Sequence, residues 1–478
     1  NNLSLDQRQA IDASDWRSVS TLNLSKLATS TLTSLTSGQI SAWTSTQFRA
    51  LTTAQFDQLL VDQIKGLDAS TIAALTTDQA KSLTQAQLQA MSQTQIRGLS
   101  TVAMVAMTPT QLAGLLEEQI NALSSAQVKA LSSAQLAQMS DVQIQAMDAA
   151  AVAAINVSTL SNLTSTQLSR LSSQQLASFS STQVKALSTD QLQGLDETQL
   201  QAFSTEAVAA MSTAIINKMA TSTVKSLSTK QINALTTDQV RAIDTIQIGS
   251  MLDFQLAALR TDQVAVLTTT QLSQLASKQL TALTSTQVQA MGTAILASMP
   301  TDSLTMLLPG QLSALTSSQV KALSTLQISQ LQTSQIQSIS TASLSAITPA
   351  FLTALGTKFI AKLSAAQIAA LTTLQVKALS SAQLNQLTDA QLAAMEWVDV
   401  ASITTSNLAL LATQQLVKLS TAQIAALTSS QIRALTSTQF GKLTEEQVKA
   451  IETRDIAGIT VSQLQAMTDL QVAAMSTN

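Results

Sequence analysis

Thr284-Ser285-Thr286-Gln287-Val288-Gln289-Ala290-Met291 is one copy of an eight-residue pattern that runs along the whole chain. Gln recurs in this phase from Gln7 to Gln471, filling 41 of 59 slots, and no insertion or deletion shifts the register. The consensus is [Ser/Thr]-[Ser/Thr]-x-Gln-[Leu/Ile/Val]-x-[Ala/Gly/Ser]-[Leu/Met], with the first residue at the position of Thr284. An unbroken period of this kind marks a stacked-repeat architecture and predicts one continuous array over residues 1–478, without an internal linker.

The spacing decides the local structure. The large apolar residues fall at the fifth and eighth positions, in steps of three and five, whereas a strand would place same-face residues two apart. A single long helix fails as well, because eight residues turn through about 800° and the apolar stripe would slip by about 80° per repeat. The helix must therefore break once per repeat, and Ser or Thr followed three residues later by Gln says where. That pair is a capping box, in which the hydroxyl accepts from the N3 backbone N–H and the Gln side chain returns to the cap. Pro109, Pro309 and Pro349 fall at N1, the helical position that proline favours, and Pro300 falls on the cap itself. Of 60 cap slots from Ser4 to Ser476, 45 hold Ser, Thr, Asp or Asn. Leu60, Leu116, Leu252, Arg260 and Leu308 are exceptions, where frayed or fused helices are expected.

A helix of seven residues does not persist alone in water, so the units must bury their fifth and eighth residues against one another. The predicted fold class is an all-α solenoid of about 59 short capped helices. Val376, Val400, Ile424, Val448 and Val472 recur every 24 residues, which favours three helices per superhelical turn. Arg49, Lys65, Lys81 and Arg97 recur every 16, which favours two. The small seventh residue, sometimes glycine as at Gly66 or Gly98, would let neighbouring helices approach closely.

Composition narrows the function. His, Cys and Tyr are absent, so the commonest general base, the nucleophilic thiol and the soft metal ligands are missing. No catalytic residue, cofactor site or metal site is predicted, and the chain is expected not to be an enzyme. The adjacent carboxylates Glu117-Glu118 and Glu445-Glu446 fall in the first turn of a unit, where the helix dipole accounts for them. A formal net charge of −3 argues against a nucleic-acid partner, and no apolar run is long enough to span a membrane. A small-molecule substrate is not expected either. Trp16 and Trp43 fall in the two core phases, whereas Trp397 falls at N1, the place for an exposed indole that stacks on carbohydrate. Phe351 and Phe359 replace Gln in successive units and Glu396 to Val400 departs from the consensus, so residues 348 to 400 are the candidate specific contact region. The Ser/Thr array also admits O-linked sugars or an ice-matching lattice.

The units Leu-Thr-Ser-Thr-Gln-Val-Gln-Ala-Met and Leu-Ser-Ser-Ala-Gln-Val-Lys-Ala-Leu resemble the Thr/Gln/Leu-rich octapeptide arrays of very large secreted bacterial surface proteins, often labelled adhesins or haem-utilisation proteins. The resemblance covers the whole chain and implies an extracellular or cell-surface location and a scaffolding role. The haem label finds no ligand here, since there is no His or Cys. The expected function is an extracellular fibre, filament or adhesin stalk or matrix scaffold. The alternative is a binding module that presents one solenoid face to peptide, glycan, ice or mineral. Asn1 falls within the repeat pattern, as in a processed chain or an excerpt, and the last units match the consensus without a distinct cap, so end-to-end or lateral self-association is the expected partnership.

Overall fold

The computed structural model describes residues 3–475. The described residues form 59 helices of four to seven residues, from Leu5–Gln9 to Asp469–Met475, and contain no strand. Contacts divide the chain into two units, Asn1–Ile243 and Asp244–Asn478.

Within each unit a helix packs on the third helix along the chain. In the first unit Ala69–Ala73 packs on Gln93–Gly98 and Ser181–Lys185 on Thr205–Ala210; in the second, Glu445–Lys449 packs on Asp469–Met475. One layer is therefore three helices, or 24 residues, and the 16-residue recurrence of basic residues belongs to the surface. Fifth- and eighth-position side chains fill the interior, as with Val128 and Leu131 in the first unit and Leu312 and Leu315 in the second. Trp16 and Trp43 are buried as their phase predicts.

Each corner between helices has the same construction. The last turn closes with a three-residue bond, such as Leu131 N–H to the Val128 carbonyl at 3.1 Å. The eighth residue and the following cap are then both extended, at φ −65°, ψ 140° for Leu131 and φ −82°, ψ 161° for Ser132. The cap hydroxyl receives the N3 backbone N–H and the Gln side chain receives the cap N–H, so the predicted box forms in both directions.

Where the Gln is kept, caps without a hydroxyl do not fray or fuse as expected. Leu60, Leu116 and Arg260 are extended like the rest, and their N–H groups reach Gln63, Gln119 and Gln263 at 2.9, 2.9 and 2.7 Å. The glutamine half of the box is sufficient to hold the break. A different corner is altered: Leu355 stays helical at ψ −15° and Gly356 takes φ 77°, so Pro349–Ala354 runs almost directly into Gly356–Lys362. The small seventh position has the predicted use at Gly98, where a Cβ would lie 2.8 Å from the Ala69 carbonyl oxygen of the layer below.

Truncating Leu312, which is fully buried, to Ala is expected to cost about 2–5 kcal/mol. Leu326→Ala, at a side chain 62% exposed, should change stability by no more than about 0.5 kcal/mol. Urea unfolding followed by circular dichroism distinguishes the two.

Candidate functional site

The repeated Gln is buried, and its second role lies between layers. In Gln63 the Oε1 atom accepts the Leu60 N–H, while Nε2 donates to the Leu32 carbonyl at 2.8 Å and the Leu35 carbonyl at 2.7 Å. The Leu35 carbonyl, 28 residues earlier, lies on the extended residue past a helix end in the preceding layer, where no helical donor reaches it, and the Leu32 carbonyl, 31 residues earlier, also accepts the Leu35 N–H at 3.2 Å. Gln463 does the same for Ile432 and Leu435 in the second unit. The amide thus closes one corner and ties it to the corner below. A glutamine ladder displayed outward to a ligand is not what the repeat builds.

Units that lack this Gln meet the corner carbonyl by other means. Asn407 donates to Leu379 at 2.7 Å and Ser343 to Leu315 at 3.1 Å, each 28 residues back. Phe359 enters the core, and the Lys362 ammonium, one turn further on, reaches the Leu331 carbonyl at 2.7 Å. Arg170 donates to the Met139 carbonyl at 3.2 Å while pairing with Asp141 at 2.8 Å, and the adjacent Gln167 keeps only its capping bond. Sequence reading missed these substitutes, although the signal was present as a basic seventh residue in a unit whose spacing predicts a small one.

The candidate contact region is separated by burial. Phe359 is 2% exposed and Phe351 is half-buried, so neither forms part of an open aromatic surface. Trp397 is 59% exposed, as its N1 phase predicts. Val398 beside it, Leu374 one 24-residue layer back and Leu326 two layers further back, across Ala350, are exposed third-position residues on one face. This apolar stripe was legible only once 24 residues were known to make a layer. Glu117-Glu118 and Glu445-Glu446 lie exposed in the first turns of their helices. Among the described residues no group of three or more His, Cys, Asp or Glu is placed to hold a metal ion, and no helix is long and apolar enough to cross a membrane. The indole N–H groups of Trp16 and Trp43, whose rings lie 6.1 Å apart in the core, have no acceptor.

The family model of the ALTTAQ repeat matches residues 216–252, 400–437 and 408–445, which identifies these segments as similar to a known repeat. No curated protein matches the chain. Solved structures similar to it include APUM23-GGAAUUGACGG, at 12% identity over 100% of this chain and 93% of that one, with a TM-score of 0.18. A second is APUM23 with its insert region deleted, again with GGAAUUGACGG, at 11% identity over 99% and 96%, with a TM-score of 0.16. Likeness at these TM-scores carries no argument about function. The expectation that nucleic acid is excluded is corrected: the structures found include the sequence GGAAUUGACGG, which says nothing of this chain, and net charge alone does not exclude such a partner. Net charge is an average over 478 residues, and it bears on phosphate contacts more than on contacts to base edges.

Lys362→Met should cost about 1–3 kcal/mol by leaving the Leu331 carbonyl without its donor. In a Phe359→Gln background, which itself loses the buried ring, the further cost of Lys362→Met should be much smaller, since the new amide reaches that carbonyl. A double-mutant cycle in urea measures the difference.

Proposed function

We propose that this chain is a non-catalytic structural scaffold, a segment of an extracellular stalk, fibre or surface matrix. The observation that carries the reading is the inward use of the repeat: Gln, the two large apolar residues and the cap hydroxyl are all spent on capping and stacking. What remains outside is mostly Ser, Thr, Ala and Gln, a surface without a recurring recognition group. The resemblance to octapeptide arrays of large secreted bacterial proteins supports the surface location. In this role each layer transmits load to the next through its core and its corner amides. A binding module is the second reading, favoured by the exposed stripe of Leu326, Leu374, Trp397 and Val398 on one face.

Single-molecule pulling tests the mechanical role. Stepwise loss of 24-residue layers, each releasing roughly 80 Å of chain, is the expected result. Collapse of the whole chain in one event would contradict it. Protease shaving of intact producing cells should release repeat peptides, and their recovery only after lysis would overturn the surface assignment.

A further inference from the structure

Three units place Asp where the corner Gln normally stands; Asp15 is exposed behind an Asp12 cap, whereas the other two have Glu at the cap: Glu396-Trp397-Val398-Asp399 and Glu452-Thr453-Arg454-Asp455. Neither Glu side chain accepts a backbone N–H of its own helix, and both aspartates are 4% exposed. The substitution reverses the polarity of the interlayer contact. A carboxyl group has no amide N–H pair to offer the two corner carbonyls, so it turns to a hydroxyl 26 residues back and accepts from it. Ser429 donates to Asp455 at 2.6 Å, and Thr373 is the corresponding donor to Asp399.

The two corners differ in their counter-charge. Arg454 pairs with Glu452 at 2.7 Å and with Asp455 at 3.3 Å. The matching position in the other unit is Val398, 56 residues earlier, so Glu396 and Asp399 share a corner with no cation on their own helix. Of the helices packed against Trp397–Val400, Thr373–Ala378 carries one charged residue, Lys377, a turn beyond Thr373, and Thr421–Ala425 carries none. On the preceding helix Asp389 is engaged by Lys418 at 2.8 Å.

We propose that the corner at residues 396–403 is a pH-responsive joint, closed when Asp399 is protonated and loosened when it is ionised, whereas the Arg454 corner is held at either pH. Burial holds the Asp399 carboxyl above the usual aspartate range; the Thr373 hydroxyl opposes this shift and the Glu396 charge adds to it. The closed corner therefore binds the proton more tightly than the opened one. Its stability is fully present below the ordinary aspartate value and falls as pH rises through the raised value. The array would then have a corner whose opening follows the acidity of its surroundings, beside the exposed Trp397.

Amide hydrogen exchange of the full chain, corrected for intrinsic rates, tests this from about pH 4 to about pH 7. Protection of residues 396–403 should fall several-fold with rising pH while that of 452–459 holds. Val398→Arg, which imports the Arg454 pairing, should flatten the profile. Asp399→Asn should flatten it as well, because Asn in this slot already serves the corner carbonyl at Asn407. Flat protection across 396–403 in the unaltered chain would overturn the proposal, and so would a fall that persists in Asp399→Asn.

Discussion

A helix of five or six residues leaves its last carbonyls without four-residue bonds; three-residue bonds meet some of them, and the array depends on how the carbonyl of each eighth residue is met. Water is excluded there, because the eighth residue is buried, as at Leu35 and Leu131. The glutamine amide serves that carbonyl instead: its oxygen fixes the cap of its own unit, and its nitrogen supplies two donors to the corner below. An unsatisfied buried carbonyl costs about 1–3 kcal/mol, comparable to burying one leucine, so this polar contact stands beside the hydrophobic core as a condition of the fold.

The period of eight follows from this requirement. One turn and a half of helix presents two large side chains inward, and two extended residues redirect the chain. Three such segments close a layer, bringing the cap of one helix over the end of the helix four units earlier. The small seventh residue keeps the layers close enough for the amide to span them, as Gly98 does against Ala69. Because the interlayer bonds come from a neutral side chain, the array does not need surface charge to cohere. Its few interlayer ion pairs, such as Arg170–Asp141 and Lys418–Asp389, are exposed or partly exposed and contribute little.

The break, the cap and the core phases were legible in the sequence because capping and hydrophobic spacing are local. Trp16, Trp43 and Trp397 lie where their phases put them. Three helices per turn was legible only as a preference, since Val376 to Val472 and Arg49 to Arg97 gave different spacings and only the first concerns the core. The interlayer half of the glutamine's work was not legible, because a bond across 28 or 31 residues leaves no mark beyond the repeat itself. The same holds for Lys362 and Arg170, whose meaning depends on which carbonyl lies beneath them. Leu60 and Arg260 misled in the other direction: a missing hydroxyl resembled a missing break until the glutamine proved sufficient.

The layer register is the central claim, and the absence of cysteine allows a direct test of it. A Cβ on Gly249 would lie 3.7 Å from that of Gln274, in the layer next to it, within the range a disulfide accepts. In a Gly249→Cys, Gln274→Cys variant, mild oxidation should form an intramolecular disulfide, detected by mass spectrometry. The control pair Gly249→Cys, Val266→Cys has the spacing that two helices per turn would bring together, and it should stay reduced. Oxidation of the control pair in place of the first would contradict the three-helix layer and the glutamine contacts that depend on it.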